Sequence, residues 1–296
     1  MENTTADHTP PAASSVRHSA IAGSWYPGDA RQLEAMIEGF LSEVPEQPLQ
    51  GELVGLVAPH AGYVYSGQVA AYAYAQLRER AFSRVVVVSP MHRVYSGRFA
   101  VTNKAYYETP LGLVPVDQDM VRSIERHVRL NRTSSDMEHS LEIQLPFLQH
   151  ILGDLRLTPI MMGDQDWSSI TALGQALYES IAGSGNGQVL LVASTDLSHF
   201  HPYDVARQLD RRVIDHITAY DPEGLASALA RHECEACGGG PVAAVMVAAQ
   251  HLGANHAVLL QYMNSGDVTG DRSSVVGYAS AALLRSVSHR WARLRV

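Results

Sequence analysis

The chain reads as an α/β protein, with a central, mostly parallel or mixed sheet flanked by helices. Three observations predict this. Short Val- and Leu-rich runs at residues 53–58, 85–89 and 189–193 have the character of strands buried on both faces. Segments of helical periodicity alternate with them along the whole chain. Each run also breaks into a short polar loop carrying a histidine: Pro59-His60-Ala61-Gly62-Tyr63, Pro90-Met91-His92, and Ser194-Thr195-Asp196-Leu197-Ser198-His199. Ligands of open α/β sheets sit outside the carboxyl ends of the strands. Three imidazoles and one carboxylate are therefore expected at one edge of one sheet.

The elements follow in order. Residues 1–15 are polar and rich in Pro, Ala and Ser, with no apolar signal-peptide core, and read as a disordered tail. A Trp25-Tyr26-Pro27-Gly28 turn precedes a helix over 29–41, whose Leu33, Met36, Ile37 and Phe40 repeat at helical spacing. After the first buried strand, Ser66 is expected to cap a helix running through Tyr72, Tyr74 and Leu77. Strands follow at 84–89 and 99–102, then a turn at Thr109-Pro110-Leu111-Gly112. Helices are expected over 117–127 and 140–152, the second kinked by Pro146 or starting there.

The second half repeats the alternation. A strand over 155–162, a helix over 168–181 and a glycine loop at 183–187 lead to the strand at Val189. Helices over 203–217, 222–230 and 241–252 precede strands over 257–262 and 275–284. No low-complexity linker interrupts residues 16–286, so one domain is expected there, with a basic tail over 287–296.

Composition narrows the function. Of 296 residues, 46% are hydrophobic and 18% charged, enough for a sizeable core. The formal charge of −8 and the lack of a basic run argue against nucleic acid or an anionic membrane as partner. No apolar stretch approaches the ~20 residues of a spanning helix. Two cysteines, Cys234 and Cys237, do not make a disulfide framework. A cytoplasmic protein is expected.

The chain has 14 histidines, so most must be structural or merely exposed. His60 and His92 stand apart because each lies just beyond a proline at the end of a buried strand, where neutral imidazole can ligate a metal. Cys234-Glu235-Ala236-Cys237 has dithiol spacing, but it follows a helix instead of opening one after a strand, which disfavours redox chemistry of the thioredoxin kind. Cys237 lies before Gly238-Gly239-Gly240-Pro241 and a helix N-terminus, a setting that suits a third ligand beside the two histidines. Asp196 and His199, three apart, suit acid–base work, or Thr195 or Asp196 simply caps a helical turn. His139, in Asp136-Met137-Glu138-His139-Ser140, is either a partner behind the ligands or another cap. Trp25, Tyr63 and Tyr65 line a pocket or pack in the core.

At these residues the sequence resembles the Memo family, whose members in bacteria and archaea are also called AmmeMemoRadiSam system protein B. The matching blocks are Ala22-Gly23-Ser24-Trp25-Tyr26-Pro27, Ala58-Pro59-His60-Ala61-Gly62-Tyr63, Ser89-Pro90-Met91-His92, the run from Glu138 to Pro146, Ser194 to Phe200, and the Cys237-Gly238 loop. They cover nearly all of 16–284. The family in turn resembles class III extradiol dioxygenases of the LigB type, which bind non-haem Fe(II) through two histidines and a glutamate. The resemblance implies a LigB-like fold, with His60 and His92 as metal ligands and Cys237 in place of the carboxylate. It implies His199 as the acid–base group, with Asp196 and His139 around it. A thiolate favours softer metals than a carboxylate does, so iron (Fe2+) or copper is implied, with zinc as an alternative. An extradiol dioxygenase acting on a catechol-like substrate and a non-catalytic peptide-binding module are the rival readings. Implied partners are an AMMECR-type protein, a radical SAM protein, and a small molecule or peptide in the metal pocket.

Overall fold

The computed structural model of the chain describes residues 12–93, 95–184 and 188–286. The expected C-terminal tail, residues 1–11 of the expected N-terminal tail, and 185–187 of the glycine loop lie outside the described residues. A short 3-10 turn at Ala13–Ser15 leads into β1 (Val16–Arg17).

Local sequence rules set most helix boundaries. Helix α1 (Ala30–Ser42) starts where the Asp29 side chain accepts the amide of Gln32 at 3.0 Å. After β2 (Glu52–Ala58), helix α2 covers Tyr63–Tyr74. Ser66 is not its cap. The helix begins directly after an extended Gly62, and the Ser66 hydroxyl sits inside the first turn, donating to the Ala61 carbonyl at 2.9 Å. Strand β3 (Arg84–Pro90) is followed by β4 (Phe99–Thr102) and by a hairpin of β5 (Tyr106–Thr109) and β6 (Gly112–Pro115) around the expected Pro110-Leu111 turn. Asp117 caps α3 (Gln118–Glu125), and β7 (Asn131–Thr133) follows. The helix expected over 140–152 is two helices, α4 (His139–Glu142) and α5 (Leu145–Leu152), with Pro146 in the first turn of the second, where its missing amide costs nothing.

Strand β8 (Arg156–Met162) leads to α6 (Trp167–Ala182), capped by Asp166. Next come β9 (Val189–Ser194), β10 (His199–His201), α7 (Tyr203–Thr218) and α8 (Pro222–Ala230). Residues 195–198 form an irregular connection between β9 and β10, so neither Thr195 nor Asp196 caps a helix. Helix α9 (Gly239–His251), β11 (His256–Asn264), α10 (Ser265–Thr269) and β12 (Val275–Arg285) complete the chain. The strands β1, β5, β6, β7 and β10 were not expected. Each has four residues or fewer, too short for an alternation to register.

The main sheet runs β10-β12-β2-β9-β3-β8-β4-β7, with β11 beside β12, and β1, β5 and β6 make a small second sheet. It is mixed, as expected. The centre, β2-β9-β3-β8, is parallel, whereas β12 is antiparallel to β2 and β4 is antiparallel to β8. Strands β2, β3 and β9 are buried almost end to end, which requires cover on both faces. Buried apolar side chains from Ile21 to Leu284 form one continuous cluster. The consequence for function is geometric. β2, β9 and β3 are parallel neighbours, so the loops after Ala58, Ser194 and Pro90 leave the same sheet edge side by side.

Candidate metal centre

At that edge, His60 from the β2 loop, His92 from the β3 loop and His139 at the start of α4 converge. One ligand nitrogen from each lies within 4.8 Å of the other two. The ring centroids of His60 and His92 are 5.2 Å apart, and those of His92 and His139 are 4.6 Å apart. The Trp25 ring packs against that of His139, with centroids 4.5 Å apart.

The hydrogen bonds fix the imidazole tautomers. The Ser194 hydroxyl has one proton, which it donates to the Ser140 carbonyl at 2.6 Å. Ser194 therefore accepts from the Gln144 amide at 2.8 Å and from Nδ1–H of His60 at 2.9 Å, leaving Nε2 of His60 with its lone pair. Nδ1–H of His92 donates to the Glu138 carboxylate at 2.9 Å, and Nδ1–H of His199 donates to the Leu197 carbonyl at 2.8 Å. Three imidazoles thus carry a tied Nδ1 and an available Nε2, the arrangement by which a second layer of residues orients metal ligands. Nδ1 of His139 is buried without a hydrogen bond, although it lies 3.4 Å from Glu138.

Burial favours the neutral form of three of these rings, His60, His139 and His199. Burial, reinforced by His92, His139 and His199, holds His60 well below the ordinary histidine range. Burial likewise lowers His139 to about 4 and depresses His199. Burial alone would raise Glu138. Its bonds from the His92 ring and amide and from Ser140 prevail and hold it at about 2. A carboxylate that stays ionised is a steady acceptor for His92.

Cys237 comes to the cluster from the N-terminal side of α9. Its sulphur lies 3.1 Å from Nε2 of His60 and accepts the Asp196 amide at 3.3 Å. Gly238 permits this approach, since a Cβ there would meet the Ser194 carbonyl at 2.2 Å. Burial and the Asp196 carboxylate push the thiol above its ordinary range, and a metal would have to displace its proton. Cys234 is also a free thiol, buried in the core. The α9 amides offer no oxyanion hole: Gly238 donates to Thr195, Gly239 to the Ala236 carbonyl and Gly240 to Gln165.

Asp196 faces His60, not His199. Its carboxylate accepts the His60 amide at 2.7 Å, and burial raises it to about 7 against the pull of the His60 and Ala61 amides. His199 is oriented by the Leu197 carbonyl and lines the same cleft of about 620 Å3 as Trp25, Tyr65, His60, His92 and His139. Among the expected pocket aromatics, Tyr63 belongs to the core, where it is buried and donates to the Ile143 carbonyl.

Sequence reasoning missed the residues that hold the ligands. Glu138 adjoins His139 in the chain and Ser194 and Gln144 lie in the same motif blocks as His199 and His139, and their polar character at buried positions was the available signal. Glu142 was also missed. It takes the Arg17 guanidinium and hydrogen bonds from Ser19, Tyr26 and the Ala20 amide, binding the segment that carries Trp25 to α4.

Fold and site together define an α/β protein with a histidine-lined cleft at the carboxyl edge of its sheet, carrying a donor set that fits a transition metal. The chain belongs to the Memo family: the family described as Memo-like protein matches residues 17–282. A MEMO1 family protein of Methanothermobacter thermautotrophicus is 37% identical over 274 residues, covering 89% of this chain and 99% of the relative. One from Methanopyrus kandleri is 38% identical, covering 91% and 99%, and one from Ignicoccus hospitalis is 39% identical, covering 90% and 97%. Among the described residues, no helix is long and apolar enough to cross a membrane.

Proposed function

We propose that the chain is a metal-binding protein whose centre uses His60 and His92, completed by Cys237 or His139, with redox-active iron or copper as the native ion and zinc as the alternative. One observation carries this reading: ligand atoms of three histidines from separate segments lie within 4.8 Å of one another. A salt-bridge or capping role would not need three imidazoles in one place, two of them, His60 and His139, buried and held neutral. The donor chemistry supports it as well, since neutral imidazoles with a thiol suit borderline and soft ions. When bound, the ion would supply Lewis acidity, or an electron if it is redox-active.

The chain's own residues have separable tasks. Glu138 and Ser194 hold Nδ1 of His92 and His60, so that each Nε2 keeps its lone pair for a ligand or donor. His199, with Nδ1–H on the Leu197 carbonyl, keeps Nε2 free to accept a proton from a bound molecule. Asp196 ties the His60 loop through its amide. The Trp25 ring packs against the His139 ring.

Metal analysis of protein purified without chelator tests the proposal. Stoichiometric iron, copper or zinc is expected, lost in His60→Ala. Cys237→Ser and His139→Ala separate the two ligand sets, because only the true third ligand should lower metal content. Full metal content in all three variants would reject the site.

A further inference from the structure

The amino edge of the main sheet, opposite the histidines, holds a second crevice. Arg84 opens β3 and Arg156 opens β8, and the two are direct partners in the parallel register. Register partners on neighbouring strands present their side chains on the same face, so two guanidinium chains leave the sheet side by side. Both line a crevice of about 460 Å3, together with Arg126 just after α3 and Ser180 of α6. Met120 is the only apolar side chain among the described residues lining it. Six residue steps along β3 separate Arg84 from Pro90, which puts the crevice roughly 20 Å from the edge that carries His92.

The charges of this crevice do not balance. Arg84 donates to Asp117 at 2.6 Å, and the other lining carboxylate, Asp119, pairs with Arg122. Arg126 donates to the Ser123 hydroxyl at 2.8 Å and has no acidic partner among the described residues. The Arg156 side chain has neither a hydrogen bond nor an ion pair there. Two uncompensated guanidiniums thus line one crevice in a chain of net charge −8. Arginines beside a helix end commonly bond its last carbonyls. Helix α6 ends here, yet its Glu179 and Ile181 carbonyls take the Gly183 and Ser184 amides, and none of the three arginines bonds an α6 carbonyl.

Ser180 is the second, independent observation. It is 1% exposed, it lines the same crevice, and its hydroxyl has no hydrogen-bond partner among the described residues. A hydroxyl inside a helix can return to the carbonyl four residues back, as Thr218 does to Ile214. Ser180 does not. A buried hydroxyl left unpaired costs stability, whereas a ligand that accepted its proton would satisfy it.

We propose that this crevice binds the phosphate group of a small, hydroxyl-rich molecule, with Arg126 and Arg156 as its cationic donors and the Ser180 hydroxyl as a third donor. Guanidinium groups suit tetrahedral oxyanions because their planar N–H forks can bond two oxygens at once. The volume of about 460 Å3 exceeds what a bare phosphate fills, and the polar lining favours a body that carries hydroxyls over an apolar one. The site is separate from the metal centre and stands or falls without it.

The test titrates full-length protein with ribose 5-phosphate, inorganic phosphate and ribose by calorimetry, in buffer free of phosphate and sulfate. Ribose 5-phosphate is expected to bind more tightly than inorganic phosphate, and ribose not at all. Arg126→Gln and Arg156→Gln, both at exposed positions, should each weaken ribose 5-phosphate roughly tenfold with melting temperature and metal content unchanged. Ser180→Ala should weaken it a few-fold without lowering the melting temperature, since it removes a hydroxyl that the fold leaves unpaired. No binding of either phosphate at millimolar concentration, equal binding of ribose, or unaltered binding in both arginine variants would overturn the proposal. The last outcome would place the phosphate elsewhere, the metal centre included. Inorganic phosphate binding as tightly as ribose 5-phosphate would overturn the hydroxyl-rich body and assign the site to the free ion.

Discussion

The sulphur of Cys237 lies 3.1 Å from Nε2 of His60, a contact between residues 177 positions apart. Because Nδ1 of His60 already carries its proton to Ser194, the thiol is the donor in this pair. Burial and Asp196 both disfavour the thiolate. In metal-free protein, Cys237 should therefore alkylate far more slowly at pH 8 than an ordinary exposed cysteine. Peptide mass spectrometry after timed iodoacetamide treatment reads this directly, and rapid modification of Cys237 would contradict it.

Glu138 accepts both the ring and the amide of His92, at 2.9 and 2.7 Å, and also the hydroxyl and amide of Ser140. Glu138→Gln keeps the shape but loses the charge. Metal affinity is expected to fall roughly 10- to 100-fold, the usual effect of removing a carboxylate behind a ligating histidine. Competition against a chelator of known affinity gives the ratio. An unchanged ratio would mean that His92 is not a ligand or that its orientation does not matter.

The pH dependence of stability follows from His139, lowered to about 4 by burial. A histidine neutral in the fold but free to protonate when unfolded contributes stability that is present above pH 6.5 and lost as pH falls towards about 4. Asp196, raised to about 7, acts in the opposite sense, since acid favours its folded form. The informative quantity is therefore the difference between wild type and His139→Gln. In metal-free protein, urea unfolding at pH 7.5, 5.5 and 4.5 should show wild type losing ground to the variant as pH drops. A difference independent of pH would show that His139 titrates normally.

Glu142 is fully buried against Arg17 and accepts the Tyr26 hydroxyl at 2.6 Å. Removing Glu142 takes away the nearer of Arg17's two buried counter-charges and leaves only Asp136 at 3.8 Å, so Glu142→Ala should cost roughly 3–5 kcal/mol. The same change frees the segment carrying Trp25, so protection of the Trp25 amide from hydrogen exchange should fall more than that of β9. Chemical denaturation and exchange mass spectrometry measure the two effects. A loss below about 1 kcal/mol, the scale of an exposed ion pair, would count against a structural role for Glu142.

Much of the architecture was legible because it depends on local rules. Apolar runs 53–58, 85–89 and 189–193 became the buried centre of the sheet, and the run 222–230 became a helix with the same bounds. Proline at 146 divided a helix as its missing amide requires. The start of α2 was misjudged because Ser66 has the chemistry of a cap, yet its hydroxyl is used within the turn at Ala61. Of the strands of two to four residues only β4 was legible in the sequence, because so few residues carry no measurable alternation.

For the site, the sequence by itself determined which segments bear imidazoles and that parallel strands would send them to one edge. It also determined the Memo family membership, through blocks spread over nearly the whole chain. Only the tertiary structure decided that His139 joins His60 and His92, that Asp196 serves the His60 amide and not His199, and that Glu138 and Ser194 fix the tautomers. The physical reason is range. Caps, turns and strand runs are settled among residues a few positions apart, whereas tautomers and ligand geometry depend on hydrogen bonds between segments that meet only after the sheet has formed.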